Sequence, residues 1–430
     1  MHTTSTTATP ADSRYARRAT TYIVSHYLLS YLGYYGLLST LVVSLTAASF
    51  NAGQTAVLVM VFALTNKVAS IPLAPWLDRI PAAHSVLLGC VLAGAAFVSL
   101  RFAAGMPMTV ISLGFAGVGI SINALASKQL AAAASDRIEN RSQLFSLISI
   151  GVNIAAAAAA PLALLFVERK QHGQVLLAVA AVYCIAGVAT FLNRATVQMG
   201  NHTTRAWSLG VYLTVLREPG LRAFLLINMF YWFMYGQLFN VLAVYVSKTL
   251  NAPGSLGWLY TLNALLVVVL QLVVTRLGDR WTKGQQLTTV VLSYALFAVS
   301  FVAAYLLPGY GGAVVFVILF TVAEMMFVPS GDVLIVGLIR QQNRAVGYSI
   351  FAISTALGEA LGGGVGIVSY RWLSDHGYGN QFWLAAAGLA FAFSLITQRL
   401  RRSSAGLRSL APSVVLSRPD SNAPSGASPH

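Results

Sequence analysis

Charge is what this chain has least of. Asp, Glu, Lys and Arg make up 9% of its 430 residues and hydrophobic residues 57%; soluble domains carry roughly 25% charged residues, so a soluble globular protein is excluded. Cysteine is almost absent. Cys90 and Cys184 both fall in apolar stretches, which excludes a disulfide framework and paired metal-ligand spacing, and they read as small packing residues. No Gly-x-x-x-x-Gly-Lys-Ser/Thr loop occurs, so energy is expected from an ion gradient rather than ATP. No His-x-x-x-His pair and no Ser/His/Asp arrangement stands out, so neither an enzyme nor a metal or cofactor is expected. Residues 1–20 are rich in Thr, Ala and Arg, with no separate apolar core ahead of the first long hydrophobic run. The first span is therefore expected to act as an uncleaved insertion signal.

What is present is a series of long apolar runs. About 20 such residues cross a bilayer as a helix, and breaks at Gly, Pro and charge clusters give twelve candidates: 22–45, 53–76, 85–102, 108–126, 144–166, 174–191, 221–247, 254–274, 286–307, 312–338, 345–370 and 381–396. The expectation is an all-α membrane protein of two six-helix bundles, 22–192 and 221–398. They are joined by the polar segment 193–220, with Arg194, Arg205, Arg217 and Glu218. Residues 1–21 form an N-terminal tail. The tail 399–430, rich in Ser, Pro, Ala and Arg, lacks an apolar period and is expected to be disordered, with Arg399, Arg401 and Arg402 available to anionic lipid.

The net charge of +15 comes from 27 Lys and Arg against 12 Asp and Glu. In a soluble chain it would suggest nucleic acid; here it follows membrane topology. With both ends inside, most cations, from Arg14, Arg17 and Arg18 through Arg79, Lys128, Arg137 and Arg141 to Arg340, Arg344 and the C-tail, fall on the cytoplasmic face. Arg101, Arg169, Lys170, Lys248 and Arg371 fall opposite, and Lys67 lies within a span. A multi-pass protein of the plasma (inner) membrane with cytoplasmic termini is expected, working as a monomer without a nucleic-acid partner.

A repeat runs through the chemistry. The loop after span two reads Ala74-Pro-Trp-Leu-Asp78-Arg79-Ile-Pro81, and that after span eight reads Thr275-Arg-Leu-Gly278-Asp279-Arg280-Trp-Thr-Lys283. With the twelve spans, this resembles the Gly-x-x-x-Asp-Arg-x-Gly-Arg-Arg signature of the major facilitator superfamily over nearly the whole chain. Ala74 and Thr275 replace its first Gly, Pro81 and Thr282 its second; Ala82 replaces the next Arg, while Lys283 keeps that charge. The resemblance implies that Asp78 faces the N-terminus of span eleven and Asp279 that of span five. A carboxylate there gains roughly 0.3–1 kcal/mol. Asp78, Arg79, Asp279, Arg280 and Lys283 are thus candidates for a conformational latch.

Polar groups inside spans are costly, about 2.5–3.5 kcal/mol for a central charge, so they mark a cavity or a partner. Spans three, six, nine and twelve carry few and read as lipid-facing supports. The first helix of each triplet is richer, and the resemblance likewise puts those helices around a central cavity. Its candidate lining is Tyr27, Tyr31, Tyr34, Asn123, Asn228, Tyr231, Trp232, Tyr235, Gln237, Asn240 and Met325. Within the membrane lie Lys67, Glu324, Asp332 and Glu359. With His26 they are the candidates for proton coupling, Glu324 first because Pro329 follows it and frees backbone carbonyls; Lys67 and Glu359 are a candidate pair between spans two and eleven. The Gly-rich stretch 357–366 and Gly117-Val-Gly119 read as close helix packing.

Drug-proton antiporters of the superfamily carry an Arg four residues before the span-four Gly-x-Gly and a Gly-rich, Pro-containing motif in span five. Leu113 stands at the first position, and alanines at 155–160 followed by Pro161 at the second. The expected function is proton-coupled export of a small amphipathic organic compound, a drug or a secreted metabolite such as a siderophore. Uptake of an organic acid, peptide or sugar is the transport alternative, and a non-transporting membrane sensor or scaffold the alternative from another class.

Overall fold

The computed structural model describes residues 10–138, 140–169, 171–197, 210–252, 255–403 and 407, which form helices and turns with no strand among them. The N-terminal half consists of α1 (Pro10–Ala47), α2 (Ala52–Val68), α3 (Ser70–Leu77), α4 (Ala82–Arg101), α5 (Gly105–Ser135), α6 (Arg141–Glu168) and α7 (His172–Leu192). Two short helices follow, α8 (Arg194–Val197) and α9 (Gly210–Leu216). The C-terminal half has α10 (Pro219–Gly236), α11 (Leu242–Val244) between two π-helical turns, α12 (Leu256–Thr282), α13 (Gln286–Leu306), α14 (Tyr310–Leu338), α15 (Arg344–Asp375) and α16 (Gln381–Ser403). Among the described residues, eleven helical segments, from Val57–Leu77 to Gln381–Ser403, are long and apolar enough to span a membrane. The 38-residue α1 makes the twelfth long helix.

Among the described residues these twelve long helices make a multi-pass membrane protein of two six-helix bundles. Both ends of the helical array emerge on one side, called the terminal face below. α1 packs on α6 and α7, and α4 on α5 and α7; in the second half α10 packs on α15, and α13 on α14 and α16. The halves meet where α6 touches α12 and α14, and where α15 touches α3 and α5.

Local chemistry explains several boundaries. Asn51 opens α2 with a reciprocal cap: its side chain accepts from the Gln54 N–H at 2.9 Å, while its own N–H donates to Gln54 Oε1 at 3.1 Å. The break between α2 and α3 is fixed from outside, since the Ser70 N–H donates to Ser121 Oγ at 3.0 Å. Glycine sets the approach of α10 to α15. A Cβ on Gly362 would lie 2.3 Å from the Phe233 carbonyl oxygen and 2.7 Å from its Cα, so only Gly fits.

Several elements differ from the sequence expectation. α1 begins at Pro10, because residues 11–21 include good helix formers that continue the span. α5 runs to Ser135, so Lys128, assigned above to the cytoplasmic loop, lies inside the helix. α16 continues to Ser403, and Arg401 donates to Gln285 Oε1 at 2.7 Å. Of the expected tails and central segment, residues 1–9, 198–209, 404–406 and 408–430 lie outside the described residues, Arg205 among them, as does Lys170.

Candidate functional site

A cavity of about 460 Å³ lies between the halves. One wall is α1, where Tyr27, Ser30, Tyr31, Tyr34, Tyr35 and Leu38 recur at three- and four-residue steps and so share one helix face. Tyr27 stacks on Tyr31 with centroids 6.1 Å apart, and Tyr34 meets Tyr35 at 5.5 Å. α2 adds Asn66 and Lys67, α5 adds Asn123 and Lys128, and α7 adds Tyr183. The other half contributes Trp232, Tyr235 and Phe239, and from α15 Tyr348, Ala352, Thr355 and Glu359.

The sequence candidates divide by position. Tyr27, Tyr31, Tyr34, Asn123, Trp232, Tyr235, Lys67 and Glu359 line the cavity. Lys67 and Glu359 form no ion pair in this conformation among the described residues. The amides of the α10 region turn toward α15 instead. Asn228 donates to Ser354 at 2.7 Å and to Thr355 at 3.0 Å; Gln237 donates to the Gly362 carbonyl at 2.9 Å; Asn240 donates to the Gly236 carbonyl and lies against Gly363. Tyr231 is buried and stacked on Phe327 at 3.9 Å. Met325 is buried, its carbonyl accepting from Gln271 at 2.9 Å.

His26 sits inside the N-terminal half, its ring nitrogens 2.8 Å from Ser127 Oγ and 3.0 Å from Thr190 Oγ1. Glu324 lies behind the cavity wall, 7% exposed, and accepts from Asn263 Nδ2 at 2.9 Å. The same amide donates to Thr321 at 2.9 Å, which holds α12 against α14 at this carboxyl. Asp332 lies closer to the terminal face, within electrostatic reach of Lys128 across the two halves.

At the terminal face the halves are fastened together. Asp78 accepts from the backbone N–H groups of Ala345 at 2.6 Å and Val346 at 3.2 Å, two of the free donors of the first turn of α15, and from Gln129 Nε2 at 3.1 Å. Burial pushes its carboxyl up to about 7, against the lowering effect of those three bonds and of Arg344. Asp136, at the end of α5, pairs with Arg344 and accepts from Gln341 Nε2 at 3.1 Å. The Tyr212 hydroxyl of α9 donates to the Ile71 carbonyl of α3.

The second Asp-Arg pair is arranged differently. Asp279 accepts from Gln286 Nε2 at 3.1 Å, and that amide donates to Ser142 Oγ at 3.0 Å in the first turn of α6, so Gln286 stands between carboxyl and helix. Ser146 and Thr275 hydroxyls, 2.7 Å apart, continue the contact between α6 and α12. Arg79 lies beside Asp78. Arg280 is exposed, and Lys283 closes α12 in a left-handed conformation at φ 54°.

Sequence reasoning passed over Lys128, Asp136, Arg344 and Gln286. Lys128 carried a signal: Gln129-Leu-Ala-Ala-Ala-Ala134 follows it and continues the apolar helix where a loop was expected.

The sequence model of the Major Facilitator Superfamily matches residues 23–363 and 224–416. No curated protein matches the sequence. Among solved structures the chain is similar to the human organic anion transporter MFSD10, at 15% identity and a TM-score of 0.71 over 89% of this chain and 99% of that one. It is also similar to a bacterial homologue of the iron transporter ferroportin in its outward-facing state, at 14% identity and a TM-score of 0.67 over 89% and 99%. A POT family transporter in complex with 5-aminolevulinic acid matches at 16% identity and a TM-score of 0.63 over 89% and 96%. At these identities the likeness is one of fold.

Proposed function

The chain belongs to the Major Facilitator Superfamily, and from that premise we propose that it is a secondary active transporter exporting a small amphipathic organic compound in exchange for protons. One observation carries the transport reading: a cavity is walled by both halves, and at the terminal face bonds cross between them, Asp78 to α15 and Asp136 to Arg344. Such bonds must break for the cavity to open on that side, which makes them a latch for alternating access. The terminal face is the cytoplasmic one, in line with the Lys and Arg gathered there.

The tyrosines, Trp232 and Phe239 suit a solute with apolar surface, and 460 Å³ suits a small organic molecule. Glu324 supports the coupling reading. It is a buried carboxyl with one amide donor, in the helix that carries Pro329, within electrostatic reach of Tyr235 in the cavity wall. A proton taken up there removes a charge from the interface of α12 and α14, and its release restores it.

Inverted membrane vesicles test this. Amphipathic dyes should accumulate under an imposed proton gradient and leave when it is collapsed, and Glu324→Gln should abolish that dependence. Accumulation indifferent to the gradient would refute proton coupling.

A further inference from the structure

Two ammonium groups open into the cavity from one wall. Lys128 on α5 and Lys67 on α2 both line it and lie within electrostatic reach of each other. Among the described residues neither makes a hydrogen bond or an ion pair. What Lys128 touches is aromatic: its Nζ lies 5.0 Å from the centroid of Phe351 and 6.0 Å from that of Tyr348. All three of its N–H donors are thus left for another acceptor. Cations placed inside a membrane domain without paired anions are costly, and facing a cavity they mark a substrate path.

The charges are graded along the cavity. Asp136 and Arg344 are paired and so stand at one level. Lys128 lies eight residues from Asp136, roughly 12 Å along α5, whereas Glu359 lies fourteen residues past Ala345, roughly 21 Å along α15. Lys67, eleven residues before Asp78, stands at an intermediate level, roughly 16 Å up its helices; Lys128 is therefore the deeper end and Glu359 stands nearer the far side. Between them run the stacked rings of α1, with Trp232 and Tyr235 opposite.

We propose that the cavity binds an aromatic organic anion, its oxyanion held between Lys128 and Lys67 and its ring among Tyr31, Tyr34 and Trp232. The inference rests on the transporter reading above and names its substrate class. It also gives binding a mechanical consequence. Lys128 belongs to the first half and Asp332, a countercharge within its electrostatic reach, to the second, so an anion that takes Lys128 weakens an attraction between the halves.

Four probes that share one ring system but differ in charge test it: naphthoate, naphthalenesulfonate, naphthylmethylammonium and naphthylmethanol, titrated calorimetrically into the purified full-length protein. The two anions should bind more tightly than the cation and the alcohol by about tenfold to a hundredfold, the range set by a hydrogen bond to a charged group. Lys128→Gln should remove that preference and Lys128→Arg should keep most of it; Lys67→Gln, which perturbs a different helix, should reduce it. Equal or tighter binding of the cation, a preference unchanged in both Gln variants, or binding of no probe would overturn the inference. Vesicle transport separates the two claims. Gradient-driven movement of the cation but not of naphthoate would refute the anion site while the transporter reading stands. Lys128-dependent naphthoate binding without gradient-driven movement would support the site and refute proton-coupled export.

Discussion

Replacing Asp78 with Ala deletes two hydrogen bonds that cross between the halves, those from Ala345 and Val346, and one from Gln129 that braces the carboxyl from its own side. In the released state both backbone N–H groups would bond water, so the net value of each bond applies, about 0.5–1.5 kcal/mol. Two crossing bonds together favour the closed terminal face by about 1–3 kcal/mol, a factor of roughly five to 160 in population. Spin labels at His84→Cys on α4 and Gln342→Cys ahead of α15, both exposed, report the gap between the halves in a Cys90→Ala/Cys184→Ala background. Pulsed dipolar spectroscopy should find mainly the short distance in the parent and a much larger long-distance population in Asp78→Ala. An unchanged distribution in the folded variant would refute the latch.

Three further outcomes follow from the same contacts. The Asp78 carboxyl is pushed up to about 7 in the latched state and returns toward 3.8 when exposed, so the latched state holds the proton more tightly between those values. Lowering the pH from about 8 to about 5 should therefore raise the short-distance population, raising it through about 7 should lower it, and Asp78→Ala should flatten the response. The Arg344 side chain is 9% exposed and that of Asp136 23%, so Asp136→Asn leaves a mostly buried guanidinium without its anion. A double-mutant cycle with Arg344→Gln, read by the same spectroscopy, should give a coupling of about 0.5–3 kcal/mol, and additivity would show the pair to be idle. Gly362→Val places a methyl-bearing carbon against the Phe233 backbone and should cost about 1–3 kcal/mol, seen as a lower melting temperature in detergent. An undiminished melting temperature would show that α10 and α15 are not so closely packed.

The spans were legible because length and hydropathy are local properties, and bilayer thickness fixes both. The duplicated Asp-Arg pair pointed to the contact that Asp78 makes with α15, since a short motif there carries its own geometry. Which face a polar residue presents was not legible. Asn228, Gln237 and Asn240 read as cavity lining because amides inside a span need partners; their partners prove to be hydroxyls and carbonyls of α15 or of their own helix. Asp136 and Arg344 are far apart in sequence and look like ordinary loop charges until the halves bring them together. Lys128 was misplaced by a boundary: a cation near the end of an apolar run reads as its terminus, yet the alanines beyond it carry α5 on to Ser135.

The claim that the halves rock about the cavity is tested most directly by tying them together. Gln341 donates to Asp136 across the terminal face at 3.1 Å, so Asp136→Cys and Gln341→Cys face each other there. Joined by a short cleavable cross-linker in vesicles, the pair should stop gradient-driven transport, and cleavage should restore it. Transport that continues at the original rate in the fully cross-linked protein would contradict alternating access through this cavity.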